Sequence, residues 1–186
     1  MDRIKLNILG ISGKKTQSDA YVLVLEDEQT MIRVPVVIRM QEAESIALEL
    51  EGLKTPRPLT HDLMTNFSNA FNIRVSEVEI YKVEDGVFYA NILFVGQNNT
   101  IKIDARLSDA VALALRFNAP IYSKKEIIEK AGISFLDQDK KIIEPEKDVI
   151  NNEIKIKELQ KKLEKAITEE NYELAAKLKK ELDQLK

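Results

Sequence analysis

Ile4-Lys5-Leu6-Asn7-Ile8 alternates apolar and polar positions with period two, and Tyr21 to Leu25 and Arg33 to Ile38 are β-branched and apolar around the acidic turn Glu26-Asp27-Glu28. Three strands are therefore predicted before residue 39. From Gln41 the period changes. Ala43, Ile46, Ala47 and Leu50 lie on one helical face, and Gly52 supplies a stop. Pro56 and Pro58 break the chain before Thr60, which is placed to cap a second helix running towards Phe71, with Asp62 near its positive end. Val75 to Val83, the turn Glu84-Asp85-Gly86 and Val87 to Val95 read as a hairpin, and Thr100 to Asp104 as a further strand. Ser108 is a candidate cap for a helix through Val111 and Leu115. Ser123-Lys124-Lys125-Glu126 matches a capping box for another helix, closed by Gly132. Five or six strands with four short helices, interspersed without strict alternation, predict an α+β fold on a mixed, largely antiparallel sheet.

Beyond Gly132 the pattern changes twice. Residues 135–150 lose periodicity and contain Glu144-Pro145-Glu146, which marks a linker after a body spanning 1–134. In 151–186, Ile156, Leu159, Leu163 and Ala166 are spaced three, four and three apart, as are Ala175, Leu178, Leu182 and Leu185. Two heptad stripes around Glu169-Glu170-Asn171 predict an antiparallel helical hairpin, with a continuous helix as the alternative. So few apolar side chains give a small core, and a protein partner docking on 151–186 is expected.

Composition narrows the chemistry. At 186 residues with 44% apolar and 32% charged content, the chain holds one domain with a real core plus an appendage. Cysteine is absent, which removes disulfides, thiolate nucleophiles and thiolate metal sites. A formal charge of −3 gives no global attraction to nucleic acid, so phosphate binding needs a local cluster of arginines or lysines. The apolar runs are too short to span a bilayer and Met1-Asp2-Arg3 opens directly into a strand-like segment, so a soluble, cytoplasmic protein with no membrane association is expected.

Two junctions carry candidate chemistry. Arg57-Pro58-Leu59-Thr60-His61-Asp62 enters a helix and contains the sole histidine. Arg57 there can clamp an anion and His61 can move a proton, unless Thr60 and Asp62 merely cap the helix and His61 packs. Asp104-Ala105-Arg106-Leu107-Ser108-Asp109 also passes from strand to helix, with Arg116 two turns on. Its carboxylates could hold a hard cation while the arginines neutralise phosphate; the alternative is a Ser108 cap, a dipole-favoured Asp109 and an Asp104–Arg106 pair.

Taken together, Pro35-Val36-Val37-Ile38 with Glu42-Ala43, the Arg57 to Leu63 run, Asp85-Gly86-Val87-Phe88-Tyr89-Ala90, and Asp104 to Asp109 through Leu115-Arg116 resemble the bifunctional nuclease family over about residues 1 to 125. Glu170-Asn171-Tyr172-Glu173-Leu174-Ala175-Ala176-Lys177-Leu178-Lys179, with Leu163 and Ala166, resembles the UVR motif. The resemblance implies a self-associating α+β domain that cleaves DNA or RNA, with a hairpin for protein contact. On that reading His61, Asp62, Asp104 and Asp109 are catalytic, and Arg57, Arg106, Ser108 and Arg116 bind substrate. Asp104, Asp109 and Glu42 would then hold a divalent cation such as magnesium or manganese. Four positions depart from the family patterns: Arg39 replaces a glycine, Leu107 a proline, and Lys179-Lys180 an arginine-aspartate pair. The other functions weighed are a non-catalytic adaptor recruiting a repair or proteolysis partner and a structural homo-oligomer whose hairpins pair between subunits.

Overall fold

The computed structural model describes residues 3–13, 20–133, 156, 159–160, 162–168 and 171–184. The chain divides into two compact units, Met1–Pro145 and Glu146–Lys186. The expected linker, 135–150, lies outside the described residues.

The body is an α+β unit on one seven-stranded sheet in the order β3-β2-β1-β7-β4-β5-β6. β1 (Arg3–Gly13), β2 (Ala20–Asp27) and β3 (Arg33–Arg39) form one antiparallel meander. β4 (Arg74–Glu84), β5 (Val87–Val95) and β6 (Thr100–Arg106) form the other. Asp85 and Gly86 join β4 to β5 with φ of 49° and 77°, the two positive values that a two-residue type I′ turn requires. β7 (Ile121–Lys124) lies between the meanders, antiparallel to β1 and parallel to β4.

α1 (Met40–Leu50) and α3 (Leu107–Phe117) pack on each other, and α3 also packs on β4 and β5. α2 (Thr60–Ala70) packs against α3, and α4 (Lys125–Ala131) follows β7. α3 carries the most continuous apolar surface, with Ala110, Val111, Ala112, Leu113 and Ala114 all buried. Gly52 at φ 65° and Asn118 at φ 52° take the left-handed positions after α1 and α3, where the next amides, Leu53 and Ala119, return to Leu48 and Ala114 carbonyls.

Four local expectations change. Thr60 is the first helical residue rather than the cap; Leu59 holds that place and its amide donates to Asp62 Oδ2 at 2.8 Å. Ser108 likewise lies inside α3, whose cap is Arg106, and it is buried. The capping box at Ser123 is absent because Ser123 belongs to β7, a strand the sequence pattern did not reveal. On α1, Leu50 is exposed, whereas Ser45 and Leu48 are buried beside Ala43, Ile46 and Ala47.

In the C-terminal unit, α5 (described over 162–168) and α6 (Tyr172–Gln184) bring the two heptad stripes together. Leu159, Ala166, Ala175, Leu178 and Leu182 form one buried cluster flanked by Ile156 and Leu163, while Leu185 lies outside the described residues. Asn171 Oδ1 accepts the Leu174 amide at 3.2 Å and caps α6.

Candidate functional site

Polar side chains from the first turns of α1, α2 and α3, together with Ser45 in the middle of α1 and Arg116 in the last turn of α3, form one connected chain of hydrogen bonds. At its centre is His61, in the first turn of α2. Its Nε2 lies 3.1 Å from Asp109 Oδ1 on α3, and its Nδ1 lies 2.8 Å from Ser45 Oγ on α1. Arg116 Nη2 donates to Ser45 Oγ at 3.2 Å, and the serine hydroxyl still has its own proton to give Nδ1. Because the Asp109 carboxylate only accepts, the ring proton is assigned to Nε2, a tautomer inferred from the network.

The two ends of this chain differ. Arg116, with its side chain only 5% exposed, donates through Nε to Asp62 at 2.7 Å and through Nη1 to the Ala112 carbonyl at 2.9 Å. Burial raises the Asp62 pKa, but the Leu59 amide and the Arg116 guanidinium outweigh it and hold the carboxyl below its ordinary value. At the other end Arg106, whose side chain is 64% exposed, grips Asp109 through Nε at 2.7 Å and Nη2 at 2.9 Å and reaches Glu42 Oε1 through Nη1 at 2.7 Å. Burial again acts to raise the Asp109 pKa, and hydrogen bonds from Arg106 and His61 overcome it, leaving the pKa lowered. The same bond to Asp109 raises the pKa of Arg106.

Of the residues singled out in the sequence, His61, Asp109, Arg106 and Glu42 come together, with Asp62 and Arg116 joined through Ser45. The others do not join them. Asp104 accepts the Tyr81 hydroxyl at 2.9 Å, not Arg106, and Arg57 is exposed on the loop before α2. Ser108 and Arg116 were expected to bind substrate, but Ser108 is buried and the nearly covered Arg116 guanidinium has its donors committed inside. Ser45 was missed. The available signal was a hydroxyl within the apolar run of α1.

The expected cation set is not assembled. Glu42 Oε2 is buried without a hydrogen-bond partner and so offers one oxygen. Asp109, however, spends both oxygens on Arg106 and His61, and Asp104 is taken by Tyr81. Among the described residues no three acidic or histidine side chains are disposed to hold a metal. Asp104, Asp109 and Glu42 thus do not fit a shared divalent cation, which needs several oxygens converging at about 2–2.6 Å. Among the described residues no helix is long and apolar enough to cross a membrane.

Comparison with known proteins agrees with this architecture. Residues 23–135 match the family model described as Bifunctional nuclease domain, and residues 153–186 match the UvrB/uvrC motif. Two uncharacterized proteins of Mycobacterium tuberculosis are each 37% identical over 134 residues, covering 72% of this chain and 79% of theirs. Bifunctional nuclease 1 of Oryza sativa subsp. japonica is 22% identical over 117 residues, 61% of this chain and 35% of that protein.

Proposed function

The chain belongs to the bifunctional nuclease domain family, and from that premise we propose that its body hydrolyses phosphodiester bonds in DNA or RNA while the C-terminal hairpin docks a protein. The observation that supports this reading is the convergence of His61, Asp109 and the exposed Arg106 from separate elements onto one solvent-facing cluster. Arg106 is the group that meets a phosphate first. When it turns to the substrate, Asp109 loses the two hydrogen bonds that hold its proton affinity down. Asp109 then takes the proton of an attacking water on the oxygen Arg106 has vacated, with His61 Nε2–H steadying the other. As the water oxygen bonds to phosphorus, the ester bond to the leaving oxygen breaks, and that oxygen recovers a proton from the Asp109 carboxyl.

The test is cleavage of single- and double-stranded DNA and RNA by the full chain, with magnesium, manganese or a chelator. The His61→Ala and Asp109→Asn variants serve as controls and are expected to lose about 100-fold or more in rate. Wild-type cleavage no faster than in both variants would sink the proposal. A second reading, a non-catalytic adaptor, is favoured by one fact: both His61 ring nitrogens and both Asp109 oxygens are already satisfied internally. In that case the variants alter stability alone, and removing 147–186 abolishes partner capture.

A further inference from the structure

The two edges of the sheet are unlike. On β3, Pro35 removes one ladder donor and Arg33 is bridged to Ile133, with N···O distances of 3.2 and 2.7 Å in the two directions. β6, at the opposite edge, contains no proline and pairs only with β5 among the described residues. Its Ile101 and Ile103 stand opposite Phe94 and Ile92, on the face the helices cover elsewhere. Phe94 and Ile92 are buried there, whereas Ile101 is 54% exposed and Ile103 45%. The helical layer stops one strand short.

α2 borders this gap, and Ser68 is its only buried residue. Phe67 and Phe71, whose rings are 4.8 Å apart, are 60% and 62% exposed. With Met64 they line a groove of about 490 Å³ against Ile101 and Ile103. Together with Leu63 these side chains leave on the order of 600 Å² of apolar surface uncovered. That approaches the ~800 Å² each partner contributes to a standard interface.

We infer that a second copy of this chain covers this surface, the two β6 strands pairing antiparallel about a two-fold axis at Ile103 so that two seven-stranded sheets join. The occupant and its register follow from the strand's own charges. Ile101, Ile103 and Ala105 share one face and Lys102, Asp104 and Arg106 the other, so only registers that keep like faces together need be compared. An axis at residue 102 sets Lys102 against its own copy. One at residue 104 sets Asp104 against its copy and Lys102 against arginine. The axis at Ile103 sets Lys102, which meets Glu79 at 2.7 Å within its own chain, against the partner's Asp104, whose Oδ1 holds the Tyr81 hydroxyl, twice over; it also brings Ile103 to the partner's Ile103 and uses the whole strand. Such self-complementarity is what an isologous interface requires and an unrelated partner does not. Arg106 then lies opposite the partner's Thr100, so the turn before β6 of one copy borders the polar cluster of the other.

The chain contains no cysteine, which makes the register directly testable in the full-length protein. Ile103→Cys is expected to give a covalent dimer under mild oxidation, because directly opposed strand residues have Cα atoms about 4.5–5.5 Å apart. Ile101→Cys should not, since its copy lies roughly 14 Å away in this register. Light scattering should show a wild-type dimer, at least tenfold weaker association in Lys102→Asp, and recovery in the double variant Lys102→Asp/Asp104→Lys. A monomeric wild type overturns the inference. So does a dimer that neither cross-links through Ile103→Cys nor responds to Lys102→Asp, the result expected if the C-terminal hairpins hold the copies together.

Discussion

Arg116 and Arg106 terminate the same hydrogen-bonded chain and bind the same kind of partner, yet one is sealed in and the other faces water. The helix macrodipole, the aspartate and the guanidinium are common to both ends; burial differs. At the Arg116 end each guanidinium nitrogen has a protein acceptor and the side chain is almost sealed from water, so the interaction serves the fold. At the Arg106 end the guanidinium can exchange a carboxylate for a phosphate while its stem stays in place. On the proposed function, exposure rather than residue type or spacing decides which of the two arginines is open to a phosphate.

The comparison breaks most visibly at the buried end. Arg116→Met strands the partly buried Asp62 and removes a donor from Ser45, and is expected to cost about 3 kcal/mol. Thermal unfolding should record that as a fall of roughly 6–12 °C. An unchanged melting temperature would mean that the two ends are equivalent after all.

Acid titration sharpens the contrast at an intermediate scale. Asp62 and Asp109 both have folded-state pKa values below the unfolded one, so each contributes stability that is complete above the ordinary aspartate pKa. That contribution is lost as pH falls through the folded value. Urea midpoints followed from about pH 6 to pH 2 should therefore fall less steeply in Arg116→Met, where Asp62 loses its cation, and in Arg106→Gln, where Asp109 does. Parallel acid limbs in wild type and both variants would contradict the assignment.

The smallest stability effect is expected at the open end. Arg106→Gln should cost about 1 kcal/mol or less because its pair is largely solvated. Cleavage should nevertheless fall by at least about tenfold. A large stability loss with intact cleavage would reverse the roles given to the two arginines.

Much of this was legible locally. Period-two alternation, β-branched apolar runs and turn signals located six strands, Asp85-Gly86 located a turn whose two positive φ values are required by its hand, and Gly52 ended α1 where expected. His61 and Asp109 stood out because each sits at a helix start rich in charge. What escaped depends on partners distant in sequence. β7 is four residues long and carries a helix-start signature at Ser123. Pairing with β1 and β4 overrides that signature and holds Ser123 in a strand. Tyr81 claims Asp104 across two strands, 23 residues away, and nothing around either residue announces it. Ser45 and the burial of Arg116 arise only when α1, α2 and α3 are stacked, so no single helix period could reveal them.

The central strand of the sheet is also its last to be synthesised. Each meander closes through short connections, but β7 must bring Ser123 back to Ile4 on one side and to Ile80 on the other. Joining the halves thus waits on a loop closure spanning most of the body, the slow class of contact in folding. Among the described residues the two meanders share no ladder except through that four-residue strand, and the apposition of α1 with α3 that builds the polar cluster spans the same divide.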